Sequence, residues 1–207
     1  MRTAKPWVAL VIALAIIISL PELVRRTDVT LGRTPSKTEA ALADLNRRMD
    51  QADVTLTRMV AERTEELAHL RSVEDLVPVD LRTAVVHAAV YNGLDPRLLA
   101  AVGWVETGGT WDPRLRGLAG ETGLMQIMPA TATWIAQQRK LPVPDLTDPA
   151  VNLDWGAWYL AHLLEQTGGD QVEALRRYNA GPRWRDRAPT AARGYSDRVQ
   201  RVAAQPR

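Results

Sequence analysis

The sequence predicts a mainly α-helical protein, and three observations carry that prediction. Apolar residues recur at alternating steps of three and four along most of the chain. Helix-starting and helix-stopping residues mark the ends of those stretches, and no alternating apolar–polar run of strand length interrupts them. With 207 residues, 46% of them hydrophobic and 24% charged, the chain has room for one ordinary core plus extensions.

The N-terminus reads Met1-Arg2-Thr3-Ala4-Lys5-Pro6 and then runs almost wholly apolar from Trp7 to Leu20. That run is short for a spanning helix, and a basic start before it also describes a secretory signal. Extension through Pro21, Glu22, Leu23 and Val24 brings it near spanning length, while Ser19 to Arg26 offers no good cleavage site. Residues 1–26 therefore read as an uncleaved membrane anchor in preference to a signal. Arg2 and Lys5 balance Arg25 and Arg26 across it, so charge leaves its orientation open.

Residues 27–36 read as a linker rich in turn-forming residues. Beyond it, Leu42, Leu45, Met49, Ala52, Leu56, Met59, Arg63, Glu66 and Leu70 follow helical spacing, and seven of these nine are apolar. A long amphipathic helix over 38–71 is expected, either packing on its own domain or forming a stalk that pairs with another copy or a partner. At about 1.5 Å per residue it reaches roughly 50 Å. Val77-Pro78 is expected to end it, since proline disfavours helix in the preceding residue. Residues 27–78 are thus linker and stalk, and 79–207 the main domain.

Within that domain the helix signals are explicit. Leu81 to Asn92 is apolar at helical spacing and closes at Gly93. Asp95-Pro96 opens the next helix, with Asp as N-cap and Pro at the first turn, and Asp148-Pro149 repeats the device before Trp155, Trp158, Tyr159 and Leu163. Asp170 with Glu173 resembles a capping box for a short helix ending at Asn179, stopped by Gly181-Pro182.

Several chemistries are excluded. Without cysteine there is no disulfide, thiol catalysis or thiolate metal site. The three histidines, His69, His87 and His162, form no His-x-x-x-His pair, which argues against a zinc hydrolase. The candidate for chemistry is Glu106. It shares a helix face with Leu99 and Val102, so its carboxylate is partly desolvated, and it lies in a final turn where the helix dipole disfavours negative charge. Both effects hold a proton on a carboxyl group near neutral pH, as a general acid requires. The plain alternative is a glutamate at a helix end pointing into water.

Two further blocks weigh against that alternative: Gly123-Leu124-Met125-Gln126-Ile127-Met128-Pro129, and Tyr178-Asn179-Ala180-Gly181-Pro182. With Gly93-Leu94-Asp95-Pro96, Glu106-Thr107 and Asp148 to Asn152, they fall in order across residues 86 to 200. On these blocks the chain resembles the lytic transglycosylase domain, a relative of goose-type lysozyme. The resemblance implies a lysozyme-like helical catalytic domain acting on peptidoglycan glycan strands, outside the cytoplasm in the cell envelope, with no cofactor. Glu106 matches the catalytic acid, and Gly123, Leu124, Met125 and Gln126 match a loop lining the sugar groove. Tyr178 matches a tyrosine close to the acid and Asn179 a residue contacting sugar substituents, while Tyr195 resembles a final aromatic closing the site. Thr107 stands where the family commonly has serine, and Ser196 where it has an apolar residue. The implied mechanism uses one glutamate, with the 6-hydroxyl of N-acetylmuramic acid attacking C1 to give a 1,6-anhydro product.

The remaining features are read conservatively. Trp104, Trp155 and Trp158 are expected in the core, with Trp111 and Trp134 nearer a groove edge. The C-terminal arginines (Arg176, Arg177, Arg183, Arg185, Arg187, Arg193 and Arg198) read as a solvated surface, with contact to an acidic polymer second. No nucleic-acid module accompanies them. Two alternatives to transglycosylation stay open: a hydrolytic lysozyme, for which Glu121 is the second acid to watch, and a non-catalytic glycan-binding assembly factor.

Overall fold

The computed structural model describes residues 37–205. The expected anchor over 1–26 and the linker over 27–36 lie outside those residues. Among the described residues, no helix is long and apolar enough to cross a membrane. The chain divides into two units, Met1–Thr64 and Glu65–Arg207.

Helix α1, Lys37–Ser72, runs through the first unit and into the second, and none of its residues is buried. Along the solvated helix, Asp44 pairs with Arg47 at 3.1 Å and with Arg48 at 2.9 Å. Exposed pairs of this kind contribute only about 0.3–0.5 kcal/mol each.

The helix stops at Ser72, five residues before the expected end at Val77. The reason lies in packing: Val73, Leu76 and Val77 turn into the core of the second unit at 0%, 7% and 3% exposure. Arg97 clasps this turn, donating to the Ser72 carbonyl and to both oxygens of Asp75, as well as to the carbonyls of Ala203 and Gln205. The compact unit therefore draws on residues that precede Val79, the expected start of the domain.

The second unit is helical, with α2 (Arg82–Tyr91), α3 (Pro96–Thr107), α4 (Pro129–Arg139), α5 (Pro149–Gln166), α6 (Gln171–Ala180), α7 (Trp184–Arg187) and α8 (Pro189–Ala203). Its described residues contain only isolated bridges, joining Arg116 to Thr122 and Thr122 to Ile127. Local chemistry sets the helix ends. Asp95 accepts from the Arg97 N–H, Asp148 from Ala150 and Val151, and Asp170 from Glu173. Gly93, at φ 70°, lets the chain leave α2.

Helix α3 is the centre of the core. Leu99, Ala100, Ala101 and Val102 are wholly buried, and α3 packs on α2 and α8 while α6 bridges α5 and α8. Full burial of one such leucine contributes about 2 kcal/mol. Two tryptophans differ from expectation. Trp111 is 4% exposed, its indole N–H donates to the Leu76 carbonyl, and its ring lies against Gly103, where a Cβ would come within 2.9 Å. Trp104, expected inside, is 39% exposed and covers Gly109 at the end of α3. Trp155 is buried as expected, and Arg139 lies over its ring.

Candidate active site

Helix α3 carries Glu106 in its last turn, on the face shared with the buried Leu99 and Val102. Glu106 is half-buried. Its Oε1 accepts a 2.7 Å hydrogen bond from the hydroxyl of Tyr195, a buried residue of α8. Desolvation pushes the Glu106 pKa up to about 7; the Tyr195 hydrogen bond and the Arg198 charge oppose the rise, and the Glu121 charge adds to it.

An aromatic row backs this pair. The rings of Tyr195 and Tyr178 stack with centroids 6.5 Å apart, and Tyr178 meets Tyr159 at 5.4 Å. The Tyr178 hydroxyl donates to the Met125 carbonyl at 2.8 Å. Burial and the nearby Glu106 charge hold both the Tyr178 and Tyr195 phenols well above the usual tyrosine range, so they stay protonated as donors. Tyr195, and not Tyr178, is therefore the tyrosine bonded to Glu106. Tyr178 reaches the 123–126 loop instead.

That loop is held by a residue the sequence reading left without a role. Asn152, fully buried in α5, accepts from the Met125 N–H and donates to the carbonyls of Thr122 and Leu146. Gly123 has φ 80°, and a Cβ there would overlap the Asn152 amide, so both conformation and space require glycine. Gln126 folds its amide back onto the carbonyls of Leu115 and Gly123. The signal for Asn152 was its place in the Asp148 to Asn152 block, where spacing alone gave no chemical role.

Three of the expected groove residues turn inward. Leu124 and Met125 are 0% exposed, with Met125 filling the space above Gly156, so only their backbone can face a ligand. Thr107 is buried and its hydroxyl donates to the Gly103 carbonyl, a bond within its own helix. Asn179 is exposed next to Tyr178. Ser196, where an apolar residue was expected, is fully buried with its hydroxyl donated to Arg193.

The charges around Glu106 come from two further residues. Arg198 lies one turn beyond Tyr195 on α8, its guanidinium carbon 6.0 Å from the Tyr195 ring centroid. Glu121 accepts from the Ala119 N–H and so closes the 117–121 turn. Among the described residues, no group of three metal-ligating side chains occurs.

A helical core, a part-buried glutamate with a near-neutral pKa bonded to Tyr195, and a glycine-bearing loop anchored by Asn152 and Tyr178 agree with what the comparisons find. The Transglycosylase SLT domain matches residues 84–199, more than half of the chain, and the chain belongs to that family. The soluble lytic murein transglycosylase of Escherichia coli (strain K12) is 37% identical over 76 residues, covering 35% of this chain and 12% of that protein. The membrane-bound lytic murein transglycosylase F of Aeromonas salmonicida is 33% identical over 118 residues, covering 54% of this chain and 22% of its own. Among solved structures, an inactive glutamate-to-glutamine mutant of lytic transglycosylase Slt from Pseudomonas aeruginosa superposes with a TM-score of 0.54 at 29% identity. That match covers 61% of this chain and 24% of the solved one. The chain thus spans a quarter or less of the length of these three relatives and carries a lytic transglycosylase domain.

Proposed function

We propose that this protein cleaves peptidoglycan glycan strands at the β-1,4 bond from N-acetylmuramic acid to N-acetylglucosamine, with Glu106 as sole general acid and base. The observation that carries the reading is the pKa of about 7 on a part-buried Glu106 hydrogen-bonded to Tyr195. A group poised there gives up and takes back a proton with similar ease near neutrality.

The sequence of events balances without water. Glu106 protonates the glycosidic oxygen as the C1–O bond breaks, and the substrate's own N-acetyl group shields the charge at C1. The 6-hydroxyl of the same N-acetylmuramic acid then bonds to C1, and its proton passes to Glu106. The ring closes as a 1,6-anhydro sugar and the enzyme is restored. An intramolecular nucleophile has a high effective molarity, which removes the need for a second carboxylate to hold water. Gly123, Gln126 and the backbone of Leu124 and Met125 are assigned to the sugar-facing loop, Asn179 to sugar substituents, and Tyr178 and Tyr195 to positioning. Thr107 is left with a structural role.

We assign the protein to the cell envelope, held by residues 1–26 with the catalytic domain outside the cytoplasm, and residues 38–71 to a spacing stalk that pairs with another copy or with a partner. One observation favours hydrolysis as the second reading: Glu121 is an acid whose charge reaches Glu106. Its engagement with the Ala119 N–H argues for a structural role instead.

Mass spectrometry of purified wall digested with the protein decides between the two. Transglycosylation leaves 1,6-anhydro ends. Reducing ends heavier by one water would establish hydrolysis, and intact strands would remove the enzymatic reading.

A further inference from the structure

The exposed side of α1 carries a stripe with a regular pattern. Leu42, Leu45, Leu56, Val60 and Leu67 are between 40% and 60% exposed. With Met49, Ala52 and Arg63 they form the series 42, 45, 49, 52, 56, 60, 63, 67, apolar at all positions but Arg63. This seam differs from the series expected above, which passes from Leu56 to Met59, itself 58% exposed: taking Val60 instead keeps Leu67 on the seam in place of Glu66 and makes two steps of four meet at Leu56. Such a stutter locally unwinds a coiled coil while keeping the seam on one side.

A helix this long with no buried residue, and with Leu70 near its end part-buried against the core, has little of the tertiary packing from which helices draw most of their stability. The flanking charges indicate what supplies it. In a parallel pair, the residue before each seam position that is followed by a step of three faces the residue five further along the partner helix. That register sets Arg48 against Asp53 of the second copy and Glu66 against Arg71, both of opposite charge. Two-fold symmetry makes each contact twice. In the antiparallel alternative Leu45 meets Leu67, and of these charges only Arg48 and Glu66 face each other. The pair that Arg48 makes with Asp44 is exposed on both sides and yields at little cost.

We propose that two copies of this chain associate through a parallel, two-stranded coiled coil along residues 42–67, with its stutter at Leu56. The proposal rests on the stalk reading of 38–71 and adds partner, orientation and register to it.

The absence of native cysteine gives a direct test in the full chain. Leu45→Cys and Val60→Cys are each expected to form disulfide dimers under mild oxidation, about ten times faster than Val54→Cys or Gln51→Cys on the outer side. In the Leu45→Cys background, Asp53→Arg is expected to slow cross-linking and a further Arg48→Asp to restore it. Equal rates at all four positions, no dimer at any, or a dimer only when Leu45→Cys is mixed with Leu67→Cys would overturn the proposal. Circular dichroism of a 38–71 peptide separates the two layers: a helical peptide without cross-linking of the chain refutes pairing, and a random coil refutes the stalk itself. Wall cleavage does not enter either readout.

Discussion

The Tyr195 hydroxyl donates to Glu106 Oε1 across 2.7 Å, joining α8 to the last turn of α3 over 89 positions of sequence. The bond favours the ionised carboxylate, yet desolvation outweighs it and the pKa rests at about 7. Burial sets the acidity, and the tyrosine trims it.

A protonated Glu106 is the reactive form for the first step, so kcat/KM for wall cleavage is expected to fall as pH rises through about 7. Stability follows the same sign. Between about 4.5 and 7 the folded protein keeps a proton that the unfolded chain has released, so stability declines as pH rises through that window. Allowing for partial exposure, the decline is on the order of 2 kcal/mol. Urea unfolding of wild type and Glu106→Gln at about pH 5 and about pH 8 measures it, since the amide does not titrate.

Removing the tyrosine hydroxyl should move the profile upward. In Tyr195→Phe the carboxylate loses a donor that stabilised its charge, so the alkaline limb is expected to shift to higher pH by about half to one unit. A shift to lower pH would mean that the hydroxyl accepts from the protonated acid.

The loop depends on one buried amide. Asn152→Ala removes the acceptor of the Met125 N–H and a donor to the carbonyls of Leu146 and Thr122, of which Thr122 keeps the Ile127 N–H, an expected cost of about 2–4 kcal/mol in urea unfolding. Gly123→Ala acts on the same contact through overlap and backbone strain, and is expected to cost at least about 2 kcal/mol. The effects of the two substitutions should combine non-additively, because they disturb one contact.

What was legible in the sequence divides by range. Asp95-Pro96, Asp148-Pro149 and Asp170 mark helix starts because capping is satisfied within three residues, and the structure places each cap there. The Leu99–Val102–Glu106 face follows from helical periodicity alone. The long-range assignments did not follow. Nothing local tells Trp111 to fill the space over Gly103, or tells Tyr195 and not Tyr178 to reach Glu106. Glu173 shows the limit most clearly: its N–H is capped by Asp170 as the box pattern suggests, while its carboxylate turns to Arg177, Trp184 and Arg185. Burial pushes its pKa up, but the hydrogen bonds from Arg177, the Trp184 N–H and Arg185, with the Arg185 charge, outweigh that and hold it below the usual carboxylate range.

The position of Val73, Leu76 and Val77 predicts where the catalytic unit can be cut. A chain beginning at Val79 loses three core side chains and the acceptor of the Trp111 indole, whereas one beginning at Glu65 keeps them. The shorter piece is expected to be less stable by several kcal/mol, at about 1.5–3 kcal/mol per buried apolar side chain, and so to unfold at a markedly lower urea midpoint. Equal midpoints would show that the turn adds nothing to the core.

Glu106 alone moves the proton in the proposed reaction. Clearing of purified wall by Glu106→Gln, measured beside wild type with folding checked by circular dichroism, tests it most directly. The variant is expected to fold while its release of glycan fragments falls at least about a thousandfold. Release at the wild-type rate would contradict it.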